Sequence, residues 1–143
     1  MTVPAPRGRA WLGATLLVGI AYLVIGRVPV PVDRAWRLAA WVASGVAFAA
    51  HIGYEHFRLK NPPRVAALHA ALAVAIGAFA LALAGMIHSW STTSAIGPAW
   101  LLALVAWPAV TAIPAFLVAL VAGVLLARLL PTAGRSPESE EIR

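Results

Sequence analysis

Four long apolar segments alternate with short polar connections along the chain. The segments cover residues 11–26, 35–57, 63–87 and 99–130. Each is a candidate membrane-spanning helix by its apolar length, although the first is short. Residues 1–10 and 131–143 are polar flanks, and we expect the second flank to be disordered. The pattern predicts an all-α integral membrane bundle of four transmembrane helices, with residues 11–130 as the membrane domain.

The fourth apolar segment is too long for one straight crossing and too short for two. As a single helix, residues 99–130 would extend about 48 Å at ~1.5 Å per residue, against about 30 Å of hydrocarbon. Pro108 and Pro114 each lack a backbone N–H and free the carbonyl one turn earlier. We therefore predict that the fourth helix is broken at Pro108 and Pro114, and that these prolines form a hinge.

Two polar stretches predict the turns before and after the third helix. Asn61, Pro62 and Pro63 suit a tight turn in which Asn61 is the N-cap and a proline occupies the first helical position. Residues 89–94 are rich in serine and threonine and carry no charge, which predicts a loop leading to the fourth segment.

Composition agrees with a membrane protein and excludes several other classes. Hydrophobic residues make up 62% of the chain and charged residues 11%, whereas soluble domains contain about 25% charged residues. The basic residues lie at segment ends rather than in one patch, so we expect the lipid bilayer and not nucleic acid as the partner. The chain has no cysteine, which excludes disulfides, thiolate metal sites and covalently attached c-type haem.

The distribution of basic residues predicts the orientation. With four spans, one side would hold Arg27, Arg34 and Arg37. The other side would hold Arg7, Arg9, Arg58, Lys60, Arg64, Arg128, Arg135 and Arg143. Because cytoplasmic loops carry the excess of basic residues, we expect both termini to be cytoplasmic in a bacterial inner membrane.

Polar side chains recur every seven residues through the second segment, at Arg37, Ser44, His51 and Arg58, with Glu55 one turn beyond His51. On a helix they lie within roughly 60° of one another. The rise from Arg37 to Arg58 is about 31 Å, close to the thickness of the hydrocarbon core. Ionisable groups at that depth are energetically unfavourable, so His51 and Glu55 are candidates for a functional site.

The third segment carries a stripe of small residues at alternating spacings of four and three. Its members are Ala66, Ala70, Ala73, Gly77, Ala80 and Ala84. Such a stripe lets helix backbones approach closely in lipid, so we predict a helix-packing face. His88 lies on this stripe and His69 at its edge, so we expect both to face protein. His56 and His88 are expected to be interfacial residues.

The two buried histidines lie at matching depths on either side of the turn. His51 is about 12 Å back from Asn61 and His69 about 9 Å beyond it, at ~1.5 Å per residue. We therefore predict that His51, Glu55 and His69 meet on adjacent antiparallel helices. These groups could relay protons or bind a divalent metal ion. The competing interpretation is a structural network in which Glu55 pairs with Arg58.

Three functions fit these residues. The leading hypothesis is the movement of a proton or small solute through His51, Glu55, His69 and Ser44, without a cofactor. An alternative is a redox subunit that binds haem non-covalently or a metal ion through His51, His69 and Glu55. A third is an accessory subunit without chemistry of its own. In each case we expect a homo-oligomer or a partner membrane subunit. No phosphate-binding loop, nucleophile elbow or metalloprotease motif occurs, so nothing in the sequence assigns an enzyme.

Overall fold

The computed structural model describes residues 10–27, 34–93 and 97–130, and these residues form helices and short turns without a strand. The helices are α1 (Ala10–Arg27), α2 (Arg34–Tyr54), α3 (Pro63–Thr93) and α4 (Pro98–Leu129), and a π-helical turn (Glu55–Leu59) follows α2 directly. The all-α prediction is confirmed for this part of the chain. The predicted disordered tail, 131–143, and nearly all of segment 1–10 lie outside the described residues.

The third helix is longer than predicted. It continues to Thr93 instead of ending at Ile87, so the predicted loop over residues 89–94 is wrong up to Thr93. The hydroxyl groups of Ser91 and Thr92 donate to the carbonyl oxygen of His88 at 2.8 and 3.0 Å. Bonds of this kind bring the serine and threonine side chains back onto the preceding turn, so these residues are accommodated in helical geometry.

The fourth helix is continuous through both prolines, which corrects the predicted break at Pro108 and Pro114. Proline removes single hydrogen bonds from a helix but leaves the flanking bonds in place. Between the two prolines, the Thr111 hydroxyl donates to the carbonyl oxygens of Trp107 at 2.9 Å and Pro108 at 3.1 Å. The prolines remove the donors to the carbonyl oxygens of Leu104 and Val110, so the Thr111 bonds strengthen the turn between the prolines and do not replace the lost bonds. The hinge itself stays a prediction.

Helix α3 is central to the fold. It packs against α4 and against α1, whereas α2 packs mainly against α1 and only lightly against α3 and α4. On the stripe of small residues, Ala66, Ala70, Ala73 and Gly77 are buried, and Ala80 and Ala84 are half-buried. The described part of the chain therefore builds its interior mostly from alanine, which lets the helices approach closely.

Helices α3 and α4 are long and apolar enough to cross a membrane, with mean hydropathy of 2.4 and 2.5 over their most apolar stretches. Only 33% of that stretch is buried in α3 and 11% in α4. Most of this apolar surface therefore faces outward, unlike that of a core helix in a soluble protein. Helix α1 is apolar but shorter. Four helices are thus confirmed, two of them with the character of membrane spans, and the four-span topology stays a prediction.

Candidate functional site

The side chain of Glu55 is completely buried at the end of α2, where the helix changes to a π-helical turn. After this turn Lys60 adopts a left-handed conformation with φ of 53°. Its N–H and that of Asn61 both donate to the carbonyl oxygen of Glu55, which closes the helix and directs the chain towards α3. Single π-helical turns are frequent at functional sites, because they change the direction of side chains locally.

The Glu55 carboxylate joins α2, the turn and α3. Its Oε1 atom lies 3.0 Å from Nδ1 of His69, and its Oε2 atom accepts a hydrogen bond of 2.6 Å from Nδ2 of Asn61. Nε2 of His51 lies 4.0 Å from Oε1. The structure therefore brings His51, Glu55 and His69 together at one carboxylate.

His51 is buried, and neither of its ring nitrogens has a hydrogen-bond partner among the described residues. The 4.0 Å approach to Glu55 is too long for a hydrogen bond. Buried polar groups in native proteins nearly always have partners, so His51 is unusual among the described side chains, together with Thr15 and His56.

Trp11 in the first turn of α1 fixes the orientation of His69. The two rings are stacked, with centroids 4.3 Å apart and planes 6° from parallel. The indole covers one face of the imidazole and thereby holds the ring edge, with Nδ1, towards Glu55. Sequence reasoning missed Trp11, because nothing in the local pattern shows that α1 packs beside His69.

Asn61 does not cap α3 as predicted. The carbonyl oxygen of Pro62 instead accepts hydrogen bonds from the N–H groups of Val65 at 2.9 Å and Ala66 at 3.1 Å. The Asn61 amide donates to Glu55, where it satisfies a buried carboxylate oxygen. A buried carboxylate without a hydrogen-bond donor is energetically more unfavourable than an uncapped helix end. The left-handed conformation of Lys60 directs Asn61 back towards Glu55.

The predicted pair between Glu55 and Arg58 is absent. Arg58 is exposed and forms no ion pair with any described residue. It lines a cavity beside the site together with Trp11, Leu59, Lys60 and Asn61. The partners of Glu55 are the two histidines and the asparagine, so the structural interpretation based on Arg58 is wrong.

The other two histidines differ from one another. His56 is 8% exposed and its Nε2 atom has no partner in the described chain, although we expected an interfacial position. The π-helical turn changes the register after Tyr54, which explains why ideal α-helical spacing misplaced this side chain. His88 is exposed, so the prediction that it faces protein along the small-residue stripe is wrong for the described chain, whereas its exposure agrees with an interfacial position.

Ser44 lies apart from the cluster. It is half-buried and lines a separate groove of about 560 Å³ on the side of α2 that faces α4. The groove is mostly apolar, and Tyr22 and Thr111 supply further hydroxyl groups. The predicted path through His51, Glu55, His69 and Ser44 is therefore divided between two sites.

Within the described ranges, no group of three or more histidine or acidic side chains has an arrangement that could hold a metal ion. Comparisons of the chain with models of protein families, with curated proteins and with solved structures give no match.

Proposed function

We propose that the chain is a small multi-pass protein of the bacterial inner membrane that moves a proton or small solute through the site formed by His51, Glu55 and His69. The observation that carries this proposal is the wholly buried Glu55 carboxylate between two imidazoles. Such a group is unfavourable in an apolar bundle, and in membrane proteins it typically marks an ion or proton pathway.

The contact between Glu55 and His69 suits proton exchange. At 3.0 Å it is within the range for transfer between a general acid and a base. An imidazole has two ring nitrogens, so it can accept a proton at one of them and release a proton from the other. His51 is the next acceptor, since a shift of about 1 Å would bring its Nε2 atom within hydrogen-bond distance of Glu55.

The onward route from His51 leads past Phe48 to the groove at Ser44. Phe48 lies three residues before His51 and four after Ser44, hence on the same helix face. It packs beside Ile52 on the alanine core and lines the groove. The rise from His51 to Ser44 is about 10 Å, beyond the reach of one hydrogen bond, so the proposal requires a water molecule or a movement to bridge it.

The outward surface of α2 supports a four-span arrangement. Trp41, Val42 and Val46 are exposed on this helix, between the arginines at positions 37 and 58. An apolar surface bounded by arginines suits a bilayer, in which long basic side chains reach the headgroups. We further propose that α4 moves about Pro108 and Pro114, and that a second copy or a partner subunit packs on the lightly covered α2.

Proton flux into liposomes tests the proposed function. The purified protein is reconstituted around a pH-sensitive dye, and a potassium gradient with valinomycin supplies the driving force. We expect His51→Gln and His69→Gln to lower the flux about tenfold or more, because general acid–base groups contribute at least that much to proton transfer. The exposed His88→Gln is the matched control and should retain the wild-type flux. Wild-type flux equal to that of protein-free liposomes would reject proton movement.

A further inference from the structure

A cavity of about 370 Å³ lies directly beside the buried site, lined by Trp11, Arg58, Leu59, Lys60 and Asn61. Two of these residues also hold the site together, since Trp11 stacks on His69 and Asn61 donates to Glu55. The cavity therefore adjoins the buried carboxylate but is separated from it by the indole and the amide. The movement of a proton through the buried site does not explain why two cations, Arg58 and Lys60, line this cavity.

The lining of this cavity has the chemistry of an anion site. Arg58 and Lys60 are exposed cations without an ion pair in the described part of the chain, and no carboxylate lines the cavity. A guanidinium group binds phosphate oxygens in pairs, and an ammonium group adds a mobile positive charge. Trp11 and Leu59 supply an apolar wall, so the cavity suits an ester with an apolar part better than a bare ion.

The backbone at Lys60 has an unusual conformation that closes the helix before the cavity. Lys60 adopts the left-handed conformation at the end of a helix, where glycine is the usual residue because it avoids the steric penalty of a Cβ atom. Hydrogen bonds from Lys60 and Asn61 to the Glu55 carbonyl oxygen fix this geometry.

We propose that this cavity binds the phosphate group of an anionic phosphate ester, with Arg58 and Lys60 as the recognising cations and Trp11 and Leu59 against the apolar part. The ester could be a phospholipid headgroup or a soluble organic phosphate, which share this chemistry. The site is independent of proton movement, and neither proposal requires the other.

Tryptophan fluorescence of the full-length protein in an uncharged detergent tests the proposal, because Trp11 lies in the cavity wall. The probes are glycerol 3-phosphate for the soluble source and dihexanoyl phosphatidylglycerol for the lipid source. Dihexanoylglycerol, which lacks the phosphate, is the neutral control. We expect a saturable change in emission with a phosphate probe, no change with the neutral control, and loss of the change in Trp11→Phe.

The cationic walls are tested with the double variant Arg58→Gln/Lys60→Gln. The probe concentration that gives half of the emission change should rise about tenfold or more in this variant, because two charge-assisted hydrogen bonds are lost. Arg64→Gln is the matched control, since this arginine is exposed near the same turn but does not line the cavity. It should retain the wild-type midpoint within about twofold. Arg58→Gln alone serves if the double variant melts early, because that side chain is exposed.

The outcomes separate the two sources of phosphate. Saturation with glycerol 3-phosphate assigns a soluble ester, and saturation with phosphatidylglycerol alone assigns a lipid headgroup. The proposal is overturned if neither probe saturates, if the variants lacking the cations keep the wild-type midpoint, or if Trp11→Phe responds like the wild type.

Discussion

Glu55 is satisfied by side chains from separate parts of the chain. Asn61 in the turn holds one carboxylate oxygen, and His69 on α3 holds the other, with His51 on α2 close to the same atom. Each oxygen thus has a different kind of partner, an amide that can only donate and an imidazole whose ring nitrogens can donate or accept. One substitution at Glu55 can therefore remove the acidic group and keep most of the hydrogen bonds, and another can remove both.

We expect Glu55→Gln to abolish proton flux while the melting temperature in detergent changes little. Glutamine keeps the shape of the side chain and most of its hydrogen bonds, but it cannot exchange a proton. Flux is measured in the dye-loaded liposomes and stability by circular dichroism on the same preparation. Normal flux in this variant would reject the proton path.

Glu55→Ala is the comparison for stability. It leaves the Asn61 amide and the His69 imidazole without their buried acceptor, and each such loss destabilises by about 1–3 kcal/mol. The alanine variant should therefore melt well below both the wild type and Glu55→Gln. Equal melting of the two variants would show that hydrogen bonds to Glu55 do not stabilise the fold.

The meeting of His51, Glu55 and His69 was predictable because helical rise and a short turn determine relative depth along two adjacent helices. The residues that surround these three side chains could not be predicted from the sequence. The position of Trp11 depends on how α1 crosses α3, and the bond from Asn61 depends on the π-helical turn. Neither feature produces a periodic pattern of hydrophobic residues in the sequence from which it could be predicted.

At the scale of the helices, Gly77 has the least space of the glycines in the described chain, at the contact between α1 and α3. A Cβ atom added to Gly77 would lie 2.6 Å from Cβ of Tyr22 and 3.2 Å from the carbonyl oxygen of Gly19. The nearer atom is the rigid root of a side chain, so it cannot rotate away. The absence of a side chain at Gly77 therefore determines how closely the two helices approach.

Gly77→Ala should lower the melting temperature by separating α1 from α3, at a cost of about 1–3 kcal/mol for overpacking. Gly45→Ala is the matched control in α2, where an added Cβ atom meets nothing within 4 Å. That control should raise the free energy of unfolding by up to ~1 kcal/mol, since alanine favours helix more than glycine does. Changes of the same sign in both variants would contradict a close contact at Gly77.

Helix positions were the most predictable elements, because long apolar runs between polar turns leave few alternatives for the backbone. The ends of the predicted second and fourth segments differ from those of α2 and α4 by at most a few residues. The errors concern places where side chains compete with the backbone or support it. Serine and threonine extend α3, and proline does not interrupt α4.

For the whole molecule, the number of crossings is the decisive property. Among the described helices, only α3 and α4 are long and apolar enough to cross, which is compatible with two spans. The proposed function places α2 in the bilayer as well. The two topologies differ in the side on which the connection between α1 and α2 lies. With four spans it shares a side with residue 94, and with two spans it shares a side with Lys60.

Single cysteines can report these sides directly, because the natural chain has none. We expect Val32→Cys and Ser94→Cys to react with an impermeant maleimide on intact cells, and Lys60→Cys and Thr132→Cys to react only after permeabilisation. This pattern follows from four spans with cytoplasmic termini. Labelling of Val32→Cys together with Lys60→Cys would establish two spans instead and remove α2 from the bilayer.

The contact between Glu55 and His69 also has a consequence for biogenesis. In a four-span protein α2 would reach the translocon before α3, carrying His51 and followed by Glu55, for both of which lipid offers no partner. A charged residue opposes insertion by about 2.5–3.5 kcal/mol at the centre of a helix, and by less near a helix end, where Glu55 lies. The residue that relieves this penalty, His69, is synthesised 14 positions after Glu55. Release of α2 into lipid would therefore have to wait for α3, and the two helices would enter the membrane together as a hairpin.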